Sequence, residues 1–404
     1  MQLTVYPPPP GPRAFHVMAK PIGATCNLRC DYCFYLDKTS LYPQHRAADF
    51  RMSDTTLETL VRSVIESRAP GQNSVQFAWQ GGEPTLMGLP FFKRAVKLQR
   101  RLAPAGVSVQ NAFQTNGMLI TDDFARFFRD NGFLVGVSID GPKALHDAHR
   151  VDPAGHGSFD NVIDGIETLV RHCVEFNLLT VVHADNSRQP EAVYRFLRTL
   201  GTPFLQFIPL VEPLSAGGAS ARSVSGEAWG QFLNGVFHLW RQEDIGRVFV
   251  QHFDQRVAQA IGHPASLCVH AATCGRGLAL EHNGDLYSCD HFVTPAHRLG
   301  NVHRQTLATM VDAPAQMAFG NAKSETLPDE CRACSYLALC HGGCPKDRLI
   351  STASGALNWL CEGYRAFYAG TATHVDAMAA AWRARLPAGE YRRFLRPHAE
   401  QGAA

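Results

Sequence analysis

The stretch HVMAKPIGATCNLRCDYC, residues 16–33, decides how the chain is read. A short apolar run (16–22), rich enough in hydrophobic side chains for a buried strand, leads almost directly into Cys26, Cys30 and Cys33. Three thiolates on one tight loop, spaced C-x3-C-x2-C, can hold three irons of a [4Fe–4S] cube that normally takes four cysteines. The fourth iron then keeps an open position for an outside ligand, as catalytic metal sites do. A zinc loop borrowing a fourth ligand such as His45 would use the same thiols. Zinc trios more often contain C-x2-C pairs.

Working outward, β-like runs recur at 75–79, 107–114, 134–139, 178–183 and 204–209, with helix candidates at 54–68, 89–102, 122–131, 159–176 and 190–200. Ser53 and Thr121 stand where N-caps belong, and Gly132 and Gly201 where helices should stop. Six strands alternating with helices imply right-handed parallel βαβ units, an α/β class. A partial barrel and an open doubly wound sheet both satisfy that pattern. Residues 213–226 (PLSAGGASARSVSG) read as a flexible connector, and helix candidates follow near 227–243 and 253–261.

The chain has 404 residues, 45% of them hydrophobic, and a formal net charge of +2. Such a length allows two or three domains, and the charge balance argues against a protein built to grip phosphate backbones. No apolar stretch approaches the ~20 residues that span a bilayer, and the start, MQLTVYPPPPGPRAF, lacks the marks of a secretory signal. A cytoplasmic location is the expectation. Thiols stay reduced there, so the 12 cysteines read as metal ligands rather than disulfides. Three sit near the N-terminus and eight between 268 and 361. Cys173 stands apart, in an apolar helix candidate where a buried core position is expected. Three plus eight suits one incomplete site and two complete ones.

The trio, with Tyr32 just before its third cysteine, resembles the signature of the radical S-adenosylmethionine (SAM) enzymes. That resemblance implies a partial (β/α)6 TIM-type barrel whose open iron chelates SAM. It also implies reductive cleavage of SAM to a 5′-deoxyadenosyl radical that abstracts hydrogen from substrate. Gln80-Gly81-Gly82-Glu83-Pro84 looks like the element that holds the SAM amino group in that family, since paired glycines let a backbone approach a ligand closely. Gln114-Thr115-Asn116-Gly117 and Ser138-Ile139-Asp140-Gly141 place polar groups at strand C-terminal ends, the functional rim of α/β barrels. By resemblance, Ser138 and Arg150 contact the ribose or carboxylate of SAM, and Leu205 packs near the adenine. Tyr32, Gly81, Gly82 and Glu83 complete the expected cofactor-binding set.

The C-terminal cysteines are spaced C-x5-C-x14-C (Cys268, Cys274, Cys289) and C-x2-C-x5-C-x3-C (Cys331, Cys334, Cys340, Cys344), with Cys361 after sixteen intervening residues. This resembles the SPASM extension, which binds two auxiliary [4Fe–4S] clusters. The resemblance implies crossed ligation: Cys268, Cys274, Cys289 and Cys344 for one cluster, and Cys331, Cys334, Cys340 and Cys361 for the other. Within the region, residues 278–282, Asn283-Gly284 and 285–288 give a β-hairpin signal. Two zinc ribbons would be the alternative, since Cys331-x2-Cys334 suits one, but they leave the N-terminal trio unexplained.

Asp290 directly follows Cys289. That carboxylate, within the whole cysteine register, resembles the anaerobic sulfatase-maturating enzymes, which oxidise a Cys or Ser of a sulfatase to Cα-formylglycine. Asp290 would be the base that takes the thiol or hydroxyl proton, an ordinary role for a carboxylate. The resemblance implies three [4Fe–4S] clusters and SAM as cofactors. Its implied partners are a sulfatase polypeptide with a Cys/Ser-x-Pro-x-Arg-type motif and a flavodoxin or ferredoxin as electron donor. The alternatives are a SPASM-type modifier of another peptide, forming thioethers for example, and a non-catalytic zinc module. The expected division is a Pro-rich arm (1–14), a barrel (15–226), a helical linker (227–266), a SPASM domain (267–370) and an Ala-rich helical tail (371–404).

Overall fold

The computed structural model describes residues 15–42 and 47–395. The Pro-rich arm, His45 and the last nine residues lie outside that range. Six strands run in chain order: β1 (His16–Lys20), β2 (Ser74–Trp79), β3 (Ser108–Thr115), β4 (Phe133–Ser138), β5 (Phe176–Val182) and β6 (Phe204–Pro209). Each is parallel to the next. The crossovers are α1 (Asp54–Glu66), α2 (Leu89–Leu102), α3 (Asp122–Asp130), α4 (Phe159–Arg171) and α5 (Pro190–Leu197). Spatial order equals sequence order throughout, 1-2-3-4-5-6, so there is no point at which winding reverses. A doubly wound sheet requires such a reversal, and a barrel does not. The partial barrel is therefore the architecture.

Local chemistry explains the boundaries. Ser53 Oγ accepts from Thr56 N–H (3.1 Å) and Thr121 Oγ1 from Phe124 N–H (3.3 Å), so both caps hold. Helix α4 stops at Arg171, earlier than expected. Cys173 adopts a left-handed conformation (φ 53°), and Val174 N–H closes back on the Leu169 carbonyl at 3.0 Å. That is a Schellman ending with cysteine where glycine is usual, so no glycine announced it. Cys173 is exposed there rather than buried in a core. The 213–226 segment also differs from a flexible connector. Pro213 bridges to Ala219, Arg222 forks onto Glu212 (2.9 and 3.1 Å), and Val224 is fully buried.

The sheet continues beyond the six strands. Strand β7 (Phe249–Val250) extends it beside β6, followed by helix α7 (Gln251–Ala260). At the other edge β8 (Gly277–Glu281) lies parallel to β1, pairing Val17 with Leu278, and β9 (Asp285–Tyr287) and β10 (Arg298–Asn301) follow antiparallel. The expected hairpin is thus β8–β9, and it joins the six strands in one ten-stranded sheet. Helix α6 (Gly226–Glu243) buries Trp229, Phe232 and Val236 in the common core. Its first turns meet helix α9 (Cys361–Arg383) at a crossing so close that a Cβ on Gly363 would lie 2.2 Å from the Gly226 carbonyl oxygen. Helix α8 (Pro314–Glu325) meets the cysteine-rich turns so closely that a Cβ on Gly320 would lie 2.7 Å from the Cys274 carbonyl oxygen. Among the described residues no helix is long and apolar enough to cross a membrane.

Candidate active site

The trio's loop leaves β1 at the C-terminal rim and sits on a small apolar seat formed with Leu28, Tyr32 and Leu210. Its path is fixed by backbone from elsewhere on the rim. Gly82 N–H donates to the Gly23 carbonyl (2.8 Å) and Glu83 N–H to the Thr25 carbonyl (2.9 Å). A Cβ at Gly82 would fall 1.9 Å from the Thr25 oxygen, and one at Gly81 (φ 131°) 2.8 Å from the Gly23 oxygen. The close approach that demands these glycines is to the loop leading into Cys26. Below it, Glu83 is fully buried and accepts from Thr85 N–H and Oγ1, Thr115 Oγ1 and Asn116 N–H at 2.7–3.0 Å. Burial pushes its carboxyl up and those four donors oppose the shift. Asn116 Nδ2 in turn donates to Asn27 Oδ1 (2.8 Å) and lies 3.8 Å from Cys26 Sγ.

Tyr32 points inward, its hydroxyl donating to buried Asp140 and accepting from Arg150 Nη1 (3.0 Å). Arg150 is buried with Nε unpartnered among the described residues. Ser138, half-buried at the end of β4, accepts from Gln114 Nε2 (3.0 Å). Leu205 is buried in β6. At the edge of this region both ring nitrogens of His149 meet carboxylates, Asp31 at 3.1 Å and Asp185 at 2.9 Å. Burial disfavours its cation, but those hydrogen bonds prevail and hold the imidazole above the ordinary histidine range.

None of the twelve cysteines is in a disulfide. Eleven fall into three electrostatic neighbourhoods. Cys26 feels the charge of Cys30 and Cys33. Cys289 feels Cys268 and Cys274, and Cys344 feels Cys268. Cys340 feels Cys361 and Cys331, and Cys361 feels Cys331 and Cys334. Desolvation pushes Cys26, Cys289, Cys340 and Cys344 up to about 12. Converging thiols held this way are poor thiolates until a cation offsets their burial and mutual repulsion, which is what iron ligation supplies. One group of three and two of four match one open and two closed iron–sulfur sites in number and donor type.

Asp290 comes to the same rim. It forms an ion pair with Lys20, the last residue of β1, whose side chain is 1% exposed. Lys20 also donates to Gln80 Oε1 (2.8 Å) and lies 4.3 Å from the centroid of the Tyr35 ring, two residues past Cys33. Phe34 meets His291 with ring centroids 4.9 Å apart. Lys20 thus binds together the strand, the Gln80–Pro84 turn, the trio's loop and the residue after Cys289. The sequence reading passed over it. The available signal was a lysine closing an otherwise apolar strand, a charge that such burial demands be paired.

These features agree with comparisons across known proteins. A profile of the Radical SAM superfamily matches residues 21–197, and one of an iron-sulfur cluster-binding domain (SPASM) matches residues 273–335. A serine-type anaerobic sulfatase-maturating enzyme of Bacteroides thetaiotaomicron is 41% identical over 398 residues, covering 94% of each chain. The chain belongs to the anaerobic sulfatase-maturating enzymes. A cysteine-type member from Clostridium perfringens is 34% identical over 357 residues, covering 87% of this chain and 95% of that one. The solved structure of anSMEcpe with bound AdoMet superposes with a TM-score of 0.82 at 32% identity, covering 90% of this chain and 99% of the other. The same enzyme with AdoMet and a peptide, Cp18Cys, gives 0.83 at 32% identity over 91% and 99%.

Proposed function

We infer that this chain is a radical SAM oxidoreductase that converts a Cys or Ser of a sulfatase polypeptide to Cα-formylglycine. The observation that carries the reading is the Lys20–Asp290 pair, which sets a carboxylate from the cysteine-rich region on the barrel rim beside the trio's loop. We assign Cys26, Cys30 and Cys33 to the SAM-binding cluster. Cys268, Cys274, Cys289 and Cys344 are assigned to one auxiliary cluster, and Cys331, Cys334, Cys340 and Cys361 to the other. When bound, these groups supply a carbon radical that takes a Cβ hydrogen atom and a one-electron acceptor.

The chain's own residues do the rest. Asp290 Oδ1 is shut off from solvent against Lys20, which leaves Oδ2 to receive the thiol or hydroxyl proton as the substrate radical loses its electron. Thioaldehyde from a Cys substrate then exchanges with water, giving the aldehyde and releasing hydrogen sulfide. Gly81, Gly82 and the internally satisfied Glu83 serve SAM by fixing the trio's loop and offering backbone. Tyr32, whose hydroxyl is committed to Asp140 and Arg150, does likewise. Half-buried Ser138 is the polar contact for SAM, with Arg150 and Leu205 forming the floor. The substrate segment is of the Cys/Ser-x-Pro-x-Arg type, and a flavodoxin or ferredoxin supplies electrons. Serine-type relatives are the more similar in sequence, which favours Ser as target.

The test is Asp290→Asn in anaerobically reconstituted enzyme with two peptides differing only in Cys versus Ser. SAM cleavage should persist while formylglycine, read by mass spectrometry, falls by roughly 10²–10⁴-fold. Full formylglycine yield in that variant removes Asp290 from the mechanism. Absence of 5′-deoxyadenosine from the unaltered enzyme under dithionite removes the whole reading.

A further inference from the structure

Against the backbone of the first C-terminal thiol lies a buried positive charge that the mechanism above does not use. Lys323, on helix α8, is completely buried. Its ammonium donates to the carbonyl of Cys268 at 2.6 Å and to that of Val269 at 3.1 Å. It therefore sits on the backbone of the first thiol of one group. Its charge also acts on Cys274, Cys344 and Cys340. Arg348 backs it up, donating to the Lys323 carbonyl (2.6 Å) and Thr326 Oγ1 (2.9 Å) while acting on Cys331, Cys274 and Cys344.

Burying a lysine is expensive unless an opposite charge compensates it, and here no carboxylate is its hydrogen-bond or ion-pair partner among the described residues. The partners on offer are carbonyl oxygens and sulfurs. An iron–sulfur cluster with four thiolates is anionic, and its reduced form carries one more negative charge in the same low-dielectric setting. A fixed cation beside a ligand favours the reduced form, one of the levers that set cluster potentials.

We propose that Lys323 is a positioning and electrostatic residue that raises the reduction potential of the auxiliary cluster held by Cys268, Cys274, Cys289 and Cys344, making it the readier electron acceptor. This rests on the ligand assignment in the preceding subsection. Lys323 touches neither substrate nor SAM, so its signature is a potential rather than a binding constant.

The test uses two full-length holoenzymes. Lys323→Gln keeps a donor for the two carbonyls and removes the charge, whereas Lys323→Arg keeps both. Iron and sulfide are assayed, and midpoint potentials of the auxiliary clusters are measured by EPR-monitored titration in a Cys26→Ala/Cys30→Ala/Cys33→Ala background, which silences the third cluster. Lys323→Gln should retain its iron and move one auxiliary potential to a more negative value, with the other moving less. Lys323→Arg should stay near the unaltered protein. Unmoved potentials in Lys323→Gln overturn the proposal. So does equal loss of cluster iron in both variants, which would mean that shape rather than charge matters at this position. Because the potentials are read without substrate, a chain that made no formylglycine would still answer this question.

Discussion

The two cysteine regions solve one problem in opposite ways. The N-terminal trio is local: eight consecutive residues carry all three thiols, and the rest of the rim merely braces the loop through backbone hydrogen bonds from Gly82 and Glu83. The C-terminal groups are assembled from residues far apart in sequence, with Cys268 grouped near Cys344 and Cys331 near Cys361. A local motif can be read by spacing but depends on distant bracing that spacing does not reveal. An assembled one needs its neighbours to exist at all. Asp290 and Lys20 mark where the two regions meet.

The bracing is the strongest place to break this contrast. Gly82→Ala forces a methyl against the Thr25 carbonyl, where only 1.9 Å is available. About a third of the iron should be lost, with no detectable 5′-deoxyadenosine, while the iron of the two auxiliary clusters remains. Iron analysis and SAM-cleavage assays check it, and uniform loss of all iron would show that the regions are not independent. Next in size is the junction. Lys20→Met strands a buried carboxylate, which should cost about 3–5 kcal/mol of stability and lower formylglycine formed per SAM cleaved, with partial recovery in Lys20→Arg. Chemical denaturation and product ratios measure the two effects separately.

A smaller effect belongs to Asp254 on α7, which desolvation alone pushes from 3.8 up to about 7. The folded state therefore holds this proton more tightly than the unfolded chain does. Its carboxylate begins to destabilise the fold as pH rises past 3.8, and the penalty is complete above about 7. Asp254→Asn should stabilise the protein by ~2–4 kcal/mol at about pH 8 and by nothing near pH 4, read from thermal unfolding. Least affected should be Cys173→Ser, at an exposed turn outside every thiol group, with stability changing by less than ~0.5 kcal/mol and iron content unchanged.

Much of the fold was legible because its signals are local. Apolar strands separated by capped helices announce parallel units, and Ser53 and Thr121 cap where expected. The errors share a cause. Cys173 occupies a left-handed helix ending without the glycine that usually marks one, and Ser/Gly-rich composition in 213–226 hides ties such as Arg222 to Glu212. The pairing of β8 with β1 was invisible, because sheet partners separated by most of a chain leave no periodicity. At the site, the cysteines and Asp290 stood out through spacing. Lys20 was marked only by its place at the end of an apolar strand, and nothing local distinguishes Lys323 from the many lysines that face water.

That pairing of β1 with β8 also orders the birth of the protein. The first strand leaves the ribosome early, but the hydrogen-bonding edge that β8 covers stays bare until residue 277 has been made. Through most of synthesis the nascent chain carries an open edge suited to unwanted strand pairing. Translation of the cysteine-rich segment therefore closes the barrel's exposed flank as well as delivering thiols, so premature termination in that segment should yield aggregates rather than a truncated but well-behaved barrel.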